Sequence, residues 1–535
     1  MRALHPDPAG GVWLRDLTEA GVPTTDARRH PGVERDDRVR WLWASTAEVY
    51  PGLLRNGVRL DRCHDLELTE ALLLGAEGLW GHPRSLAAAS ARLAGRPVPP
   101  DPPARAAVPP GEVQEALFDA APAAPAGTID DVVEVYAAQR ERIEATADPR
   151  RFKLLVAAES AGALLAVEMT RAGLPFRADV HDAVLRDLLG EPTPLNHQPT
   201  KLADLQQRIS QAFGGQRLNP TSAAEVVRAF SREGISIPNT RAWSLRQVEH
   251  PAVPLLLEFK ELYRIWTAHG WVWRDQWIRD GRFRPEYIPG GVVSGRWASR
   301  GGGALQIPKV VRKAVLADPG HTFVVADAAQ LEPRVLAAMS GDRGLANAAR
   351  SGDLYAALAA DSFGGDRAKA KVALLGAMYG QTGGQAVPAL AVLRRSYPQA
   401  WEYVEEAART GEQGGLVRSW LGRTSPPSSV PFDRLEGERG RARGRFTRNF
   451  VVQATAAEWA LVLLARLRTE LAGSSMEIVF FQHDEVVVHC PHDDAAQAID
   501  AIHRAGEDAG RLLFGDTPVR FPLGASAVEC YADAK

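Results

Sequence analysis

Cysteine is scarce in this chain. Cys63, Cys490 and Cys530 are its only three in 535 residues, and none forms a Cys-x-x-Cys pair. That excludes a disulfide framework and a cysteine-rich zinc site, and it fits a reducing compartment. Net charge is almost absent too: 63 basic side chains against 65 acidic ones leave −2. Any affinity for phosphate must therefore come from a local basic cleft and not from the chain as a whole. No uninterrupted apolar run reaches the ~20 residues of a membrane span. The start, MRALHPDPAGG, lacks a signal-peptide core. The expected location is the cytoplasm, with no membrane partner. What remains, 45% hydrophobic and 24% charged, is a composition that folds, and the length allows roughly three to four domains.

The clearest boundary is a proline- and alanine-rich stretch, Arg96 to Thr128, which reads as an extended linker over 96–127. Residues 1–95 before it contain a strand candidate, Arg40–Trp43, and a leucine-rich helix, Leu66 to Leu74. After it, Thr128 with Asp131 three residues on reads as a box-like helix start. Helical patterns then dominate to about Gly270, and short strands mix with helices from Gly290 onward, an α+β pattern.

The chemistry begins in "FFQHDEVVVHC", Phe480 to Cys490. Asp484 and Glu485 sit behind His483 at the crest of what reads as a buried hairpin. A tip prefers Asn-Gly or Asp-Gly, and His-Asp-Glu offers no turn advantage. On this stretch alone, an ordinary polar tip explains the carboxylates as well as a metal site does. A partner is available in "HTFVVADAAQLEPRVLAAMSGD", where Asp327 ends a buried strand and Gln330, Glu332 and Arg334 follow on a helix. Two carboxylates at neighbouring strand ends can hold two divalent ions, since hard cations take oxygen ligands and leave room for substrate phosphates.

Two further stripes have helical spacing. Arg367, Lys371, Leu375 and Tyr379 are four apart and share a face. A solvated basic stripe is the bland explanation. Gly376, which costs ~1 kcal/mol against alanine inside a helix, favours close approach of something flat. Arg445, Asn449 and Gln453 are also four apart, and polar residues down one face can read a nucleic-acid minor groove, where every base pair carries acceptors.

Together these segments resemble the family A DNA polymerases, the bacterial DNA polymerase I type, over about Thr128 to Lys535. Asp327-x-x-Gln330-x-Glu332-x-Arg334 resembles the first palm motif, and Arg367-x3-Lys371-x3-Leu375-Gly376-x2-Tyr379-Gly380 the fingers helix. His483-Asp484-Glu485 resembles the last palm motif. Ser294-Gly295-Arg296, Arg312 and Arg445-x3-Asn449-x3-Gln453-x-Thr455-Ala456-Ala457 fall in the family's order. The resemblance implies a right-hand α+β fold: a small degenerate exonuclease-like α/β domain (1–95), the linker, a remnant helix with connecting helices and thumb (128–289), palm (290–340 and 441–535) and fingers (341–440). It implies a monomer that binds primer–template DNA and dNTPs and uses two Mg²⁺ ions, with Mn²⁺ able to substitute. Asp327 and Asp484 would hold the metals, with Glu485 and His483 near the primer end. Lys371, Arg367 and Arg312 would hold the triphosphate, and Gln330, Leu375 and Tyr379 would line the nucleotide site. Glu332 would block a ribose 2′-OH. Arg296, Asn449 and Gln453 would touch the minor groove, with Arg445 nearby. The expected reaction is template-directed DNA synthesis in repair or gap filling, in a nucleoid-associated enzyme.

Departures accompany the match. Ala328-Ala329 replaces the usual Tyr-Ser, Pro333 a leucine, Leu375 an aromatic residue and Tyr355 a histidine. The amino-terminal region resembles the family's 3′–5′ exonuclease only through "CHDLELTEALLL". In "VYAAQRE" Arg140 stands where that helix would carry an aspartate, so proofreading is expected to be absent. Gln114, Leu117 and Phe118, in "QEALF", resemble the short peptide by which bacterial polymerases bind the sliding clamp. The alternatives are a non-catalytic DNA-binding protein on the same scaffold, which would not need metal carboxylates, and a ribonucleotide polymerase, which Glu332 disfavours.

Overall fold

The structure, a computed structural model, describes all residues except 104–126, 194–196, 301–302, 304, 306, 381–385, 432–434 and 535. The Gln114–Phe118 segment therefore lies outside the described residues.

A mixed sheet organises the amino-terminal part. Its strands run in the order Arg28–His30, Val12–Asp16, Arg2–Pro6, Arg40–Trp43 and Arg62–Asp65. The first three pair antiparallel, whereas Arg2–Pro6, Arg40–Trp43 and Arg62–Asp65 are parallel. Parallel strands need both faces covered, and the expected Arg40–Trp43 strand accordingly buries Trp41, Leu42 and Trp43. One cover comes from beyond the linker. The helix Ile129–Glu144 starts at a capping box in which Thr128 and Asp131 satisfy each other's backbone N–H. It packs Ile129, Val132 and Tyr136 against Ala3, Leu17 and Leu42. A domain ending at residue 95 is thus too short, because the sheet's core is completed by residues after 128.

The helices Ala178–Leu189, Thr200–Ala212, Ala223–Arg232 and Ala252–His269 enclose a separate core that includes Leu185, Leu205, Phe230 and Phe259. The largest core surrounds an antiparallel sheet in the order Glu477–Gln482, Glu485–Pro491, His321–Ala328, Leu523–Val528. Against it pack Leu331–Ser340, Ala495–Phe514 and the 34-residue helix Gly437–Glu470. By length and hydropathy that long helix could cross a membrane, but 78% of its apolar window is buried inside the fold. It is the spine of the core, and the uninterrupted-run test applied to the sequence did not anticipate it.

Five helices form a lobe beside the sheet: Arg343–Ala348, Leu354–Ser362, Arg367–Tyr379, Ala386–Ser396 and Pro398–Glu412. The last crosses the spine closely because both helices are small at the crossing. A Cβ on Gly411 would lie 2.7 Å from Thr447 Cγ2 and 2.9 Å from its Cβ, so no threonine rotamer clears it. Gly411→Ala is expected to destabilise the protein by about 1–3 kcal/mol through overpacking. Equilibrium denaturation should show this as a lower midpoint with an unchanged slope.

Candidate active site

Register places the carboxylates. On its two neighbouring strands, Asp327 pairs with Glu485 on one side and with the exposed Gly524 on the other. The Ala328 N–H donates to the Asp484 carbonyl at 3.1 Å. Adjacent strands are ~5 Å apart, so Asp327 and the Asp484–Glu485 pair share one sheet end, and Gly524 contributes no side chain beside them. Hydrophobic neighbours enforce this register: Val324, Val325 and Ala326 oppose Val488, Val487 and Val486.

The turn carrying Asp484 is two residues long, between the paired Gln482 and Glu485. His483 has φ 58°, where a non-glycine residue costs ~1–3 kcal/mol. Gln330, at the start of the helix after Asp327, also has φ 58°. Among the described residues only Asp280 joins them as a non-glycine with positive φ. Two of the three strained backbones thus flank the carboxylates. Pro333 does not disturb its helix, because it falls in the first turn, where the N–H has no intrahelical partner.

Glu332 ties three segments together. It accepts a hydrogen bond from the Tyr379 hydroxyl at 2.5 Å and an ion pair from Arg296. Burial, followed by the Glu332 contact, pushes the Tyr379 phenol well above its ordinary range. The Arg296 loop is held from behind: Gly295, at φ 82°, lies so close to Arg423 that a Cβ would sit 2.7 Å from Cζ of its guanidinium. His483 is pulled below the usual histidine value by burial and then by Arg296, against Glu332.

The basic stripe lies where its spacing put it, on the exposed face of Arg367–Tyr379. Arg367 Nε donates to Asp353 at 2.7 Å, and Arg367 and Lys371 stand 5.6 and 6.0 Å from the Tyr355 ring centre. Burial would raise the Asp353 carboxyl, but hydrogen bonds from Arg367 and Gln330 hold it down, at about 2. Burial and Glu332 lift the Tyr355 phenol to about 12. Leu375 is half-buried on the same helix. Gln330 spends its amide locally: Nε2 donates to Asp353 at 2.8 Å, and Oε1 accepts from the Leu354 N–H at 2.8 Å. On the spine, Arg445 packs against Gly380, where a Cβ would be 2.8 Å from its Cγ. Asn449 Oδ1 is buried with no hydrogen-bond partner, and Gln453 is half-buried one turn on.

Arg312, expected on the triphosphate beside Lys371, makes its contacts on the hairpin side. Its guanidinium lies 4.4 Å from the Tyr531 ring centre, 3.6 Å from Glu485 Oε1 and 3.3 Å from Gln482 Oε1. Arg140 lies in the amino-terminal part, on the helix Ile129–Glu144. It donates to the Ala20 carbonyl, whereas the carboxylate of that helix acting on the first strand, at His5, is Asp131.

Sequence reasoning gave no supporting role to three residues. Asp353 caps its helix and also bridges Arg367. Arg334 is fully buried and donates to the carbonyls of Ala329, Ala349, Ser351, Gly352 and Arg520. Tyr531, in the short C-terminal helix Tyr531–Ala534, gives its hydroxyl to the buried Glu485. No local pattern marks such long-range pins. Tyr531→Phe should cost about 1.5–3 kcal/mol, the range for a hydrogen bond to a charged group, in chemical denaturation. Retained stability would mean that Arg312 alone satisfies Glu485.

No group of three or more His, Cys, Asp or Glu side chains able to hold a metal occurs among the described residues. Asp327 and Asp484 offer hard carboxylate oxygens at one sheet end. Such a pair suits Mg²⁺, which keeps water and substrate phosphates in its remaining positions.

The family model of DNA polymerase family A matches residues 195–524. DNA polymerase I of Chloroflexus aurantiacus is 26% identical over 372 residues, covering 61% of this chain and 39% of that protein. The thermostable DNA polymerase I of Thermus filiformis is 27% identical over 302 residues, with coverage of 51% and 36%. The DNA polymerase of Mycobacterium phage D29 is 29% identical over 277 residues, with coverage of 46% and 43%. The chain thus spans little more than a third of the length of the first two. Among solved structures, the POL domain of Pol1 from M. smegmatis, in complex with DNA primer-template and dNTP, superposes with a TM-score of 0.74. It is 16% identical and covers 100% of this chain and 96% of that one.

Proposed function

The chain belongs to DNA polymerase family A, and we propose that it adds deoxynucleotides to the 3′ end of a primer paired to a template. The observation that carries this reading is the sheet end where Asp327 and Asp484–Glu485 meet, joined through Glu332 and Tyr379 to the helix bearing Arg367 and Lys371. A site for phosphoryl transfer needs little more than such positioning and charge stabilisation.

Asp327 and Asp484 would hold two divalent ions, Mg²⁺ or Mn²⁺, which when bound supply Lewis acidity to the attacking and leaving oxygens. The chain's own groups do the rest. Lys371 and Arg367 offset the charge that grows on the triphosphate as the pyrophosphate leaves, with Asp353 and Tyr355 fixing their side chains. Tyr379 and Glu332 close the sugar side of the pocket, with Gln330 shaping its start. Glu485, His483 and the minor-groove residues Arg296, Asn449 and Gln453 orient the primer terminus, and Arg445 braces the end of the Lys371 helix. Arg312 acts through Glu485, holding the hairpin. The primer–template and dNTP named with the M. smegmatis structure are the ligands proposed here. Synthesis without proofreading, in repair or gap filling, follows from an amino-terminal part whose first strand carries no carboxylate.

A mere DNA binder has no use for the paired carboxylates. Asp327→Asn and Asp484→Asn are each expected to slow single-turnover dNTP addition by about 10³-fold, while the affinity for a hairpin primer–template is preserved. Extension at near the parent rate in either variant would move the active site elsewhere.

The sugar pocket is tested separately. Glu332→Ala should raise the rNTP-to-dNTP insertion ratio by about tenfold, equivalent to ~1.4 kcal/mol of lost discrimination. Leu375→Tyr should increase acceptance of dideoxynucleotides. Unchanged ratios in both variants would remove these side chains from the pocket.

A further inference from the structure

The spine helix Gly437–Glu470 carries a buried cation that the proposed chemistry does not use. Arg448 lies between Arg445 and Asn449 and is 8% exposed. The Arg445-x3-Asn449 pattern assigns nothing to it. Its Nη1 donates to the Ala377 carbonyl at 3.0 Å, and its Nη2 donates to the Glu405 carboxylate. Its guanidinium stands 5.6 Å from the Trp401 ring centre. Trp401 and Glu405 are one turn apart on Pro398–Glu412, and Ala377 is in the last turn of Arg367–Tyr379. One side chain on the spine thus ties down two lobe helices.

The last four carbonyls of a helix have no partner within it. At the end of Arg367–Tyr379 the Gly380 N–H serves the Gly376 carbonyl, and Arg448 serves Ala377 from the interior. A cation in that place also meets the negative end of the helix dipole. Other ties of this helix lie at the surface: the side chains of Arg367 and Asp353 are 54% and 40% exposed, and Tyr379 is 36% exposed. An exposed ion pair contributes little, whereas a buried one cannot shift without stranding a charge. The interior tie at Ala377 therefore sets the place of the helix. A buried ion pair adds little stability over apolar groups of the same shape, so what Arg448 supplies is position. A slip of one residue would move Lys371 by about 1.5 Å along the axis and about 100° around it.

We propose that Arg448 is a positioning residue for nucleotide binding: by holding the Ala377 carbonyl to the spine, it fixes the helix that presents Lys371 and Tyr379 to the incoming triphosphate. Arg448 itself touches no substrate. The inference rests on the reading of Arg367–Tyr379 as the nucleotide-binding helix.

The discriminating variant of the full chain is Arg448→Met/Glu405→Leu. It replaces both charges by apolar groups and strands neither, so its melting temperature should stay close to the parent value. In single-turnover addition to a hairpin primer–template, the half-saturating dNTP concentration should rise by about fivefold or more. The maximal rate should fall by no more than about twofold, the signature of lost ground-state binding. Hairpin affinity, measured by anisotropy, should be unchanged. Hydrogen exchange in peptides covering 367–380 should quicken by about fivefold or more, with 455–470 on the spine unchanged, because exchange reports local opening. Parent half-saturation in the double variant would overturn the proposal, and so would unchanged exchange over 367–380. A melting temperature far below the parent value would make Arg448 a structural residue and overturn it as well. So would a parallel loss of hairpin affinity, which would place the defect in the duplex cleft. A parent protein that extends no primer would count against the polymerase reading instead, and the exchange result would still decide whether Arg448 holds the helix.

Discussion

The antiparallel register between His321–Ala328 and Glu485–Pro491 determines where chemistry can occur. It sets Asp327 opposite Glu485 and brings the Ala328 N–H to the Asp484 carbonyl. A slip of one residue would turn Asp327 to the other face and drive the valines out of the core. The apolar runs on either side of the motifs therefore hold the register of the proposed catalytic carboxylates as well as filling the interior. The same sheet edge receives the C-terminal Tyr531, which fixes the Glu485 side chain that the register delivers.

Around that register the site is assembled from strained and tied parts. His483 and Gln330 hold left-handed backbones that glycine would adopt without cost. Each gives the turn or helix start a side chain that glycine lacks. Gln330 uses its amide to anchor the next helix, and His483 stands within reach of Arg296 and Glu332. Strain of this kind persists only where the surroundings over-determine the backbone, and here paired strands and the buried Arg334 do so. Glu332 then joins its own helix, the lobe helix and the Arg296 loop through two side-chain contacts.

Local signals in the sequence reported on some of this and not on the rest. The buried strand before Asp327, the hairpin with its polar crest, the four-residue stripes and the Thr128 cap all obey short-range periodicity or capping rules, and each appears as expected. The surroundings of Arg312 were not legible because they come from residues some 170 to 220 positions away, Gln482 and Tyr531. The packing of Ile129–Glu144 against the first sheet was legible only through the likeness of its sequence to an exonuclease helix, because a linker separates the two along the chain. Beyond its polar stripe the spine's full length was not legible, because its charged residues interrupt every apolar run, while its buried face is continuous only after folding.

The junction between the amino-terminal part and the palm shows how far the two are mechanically one. Arg468 lies on the same helix as Arg445, Asn449 and Gln453. It donates to the carbonyls of Leu60 and Asp61 and to Glu168, which Tyr50 and Arg59 also contact. Burial alone would raise the Glu168 carboxyl, but Arg468 more than offsets it, and the net shift is downward. The charged pair is therefore kept at neutral pH inside the interface. A buried pair with each partner multiply bonded resists opening, since separating it would strand a charge in a poor solvent.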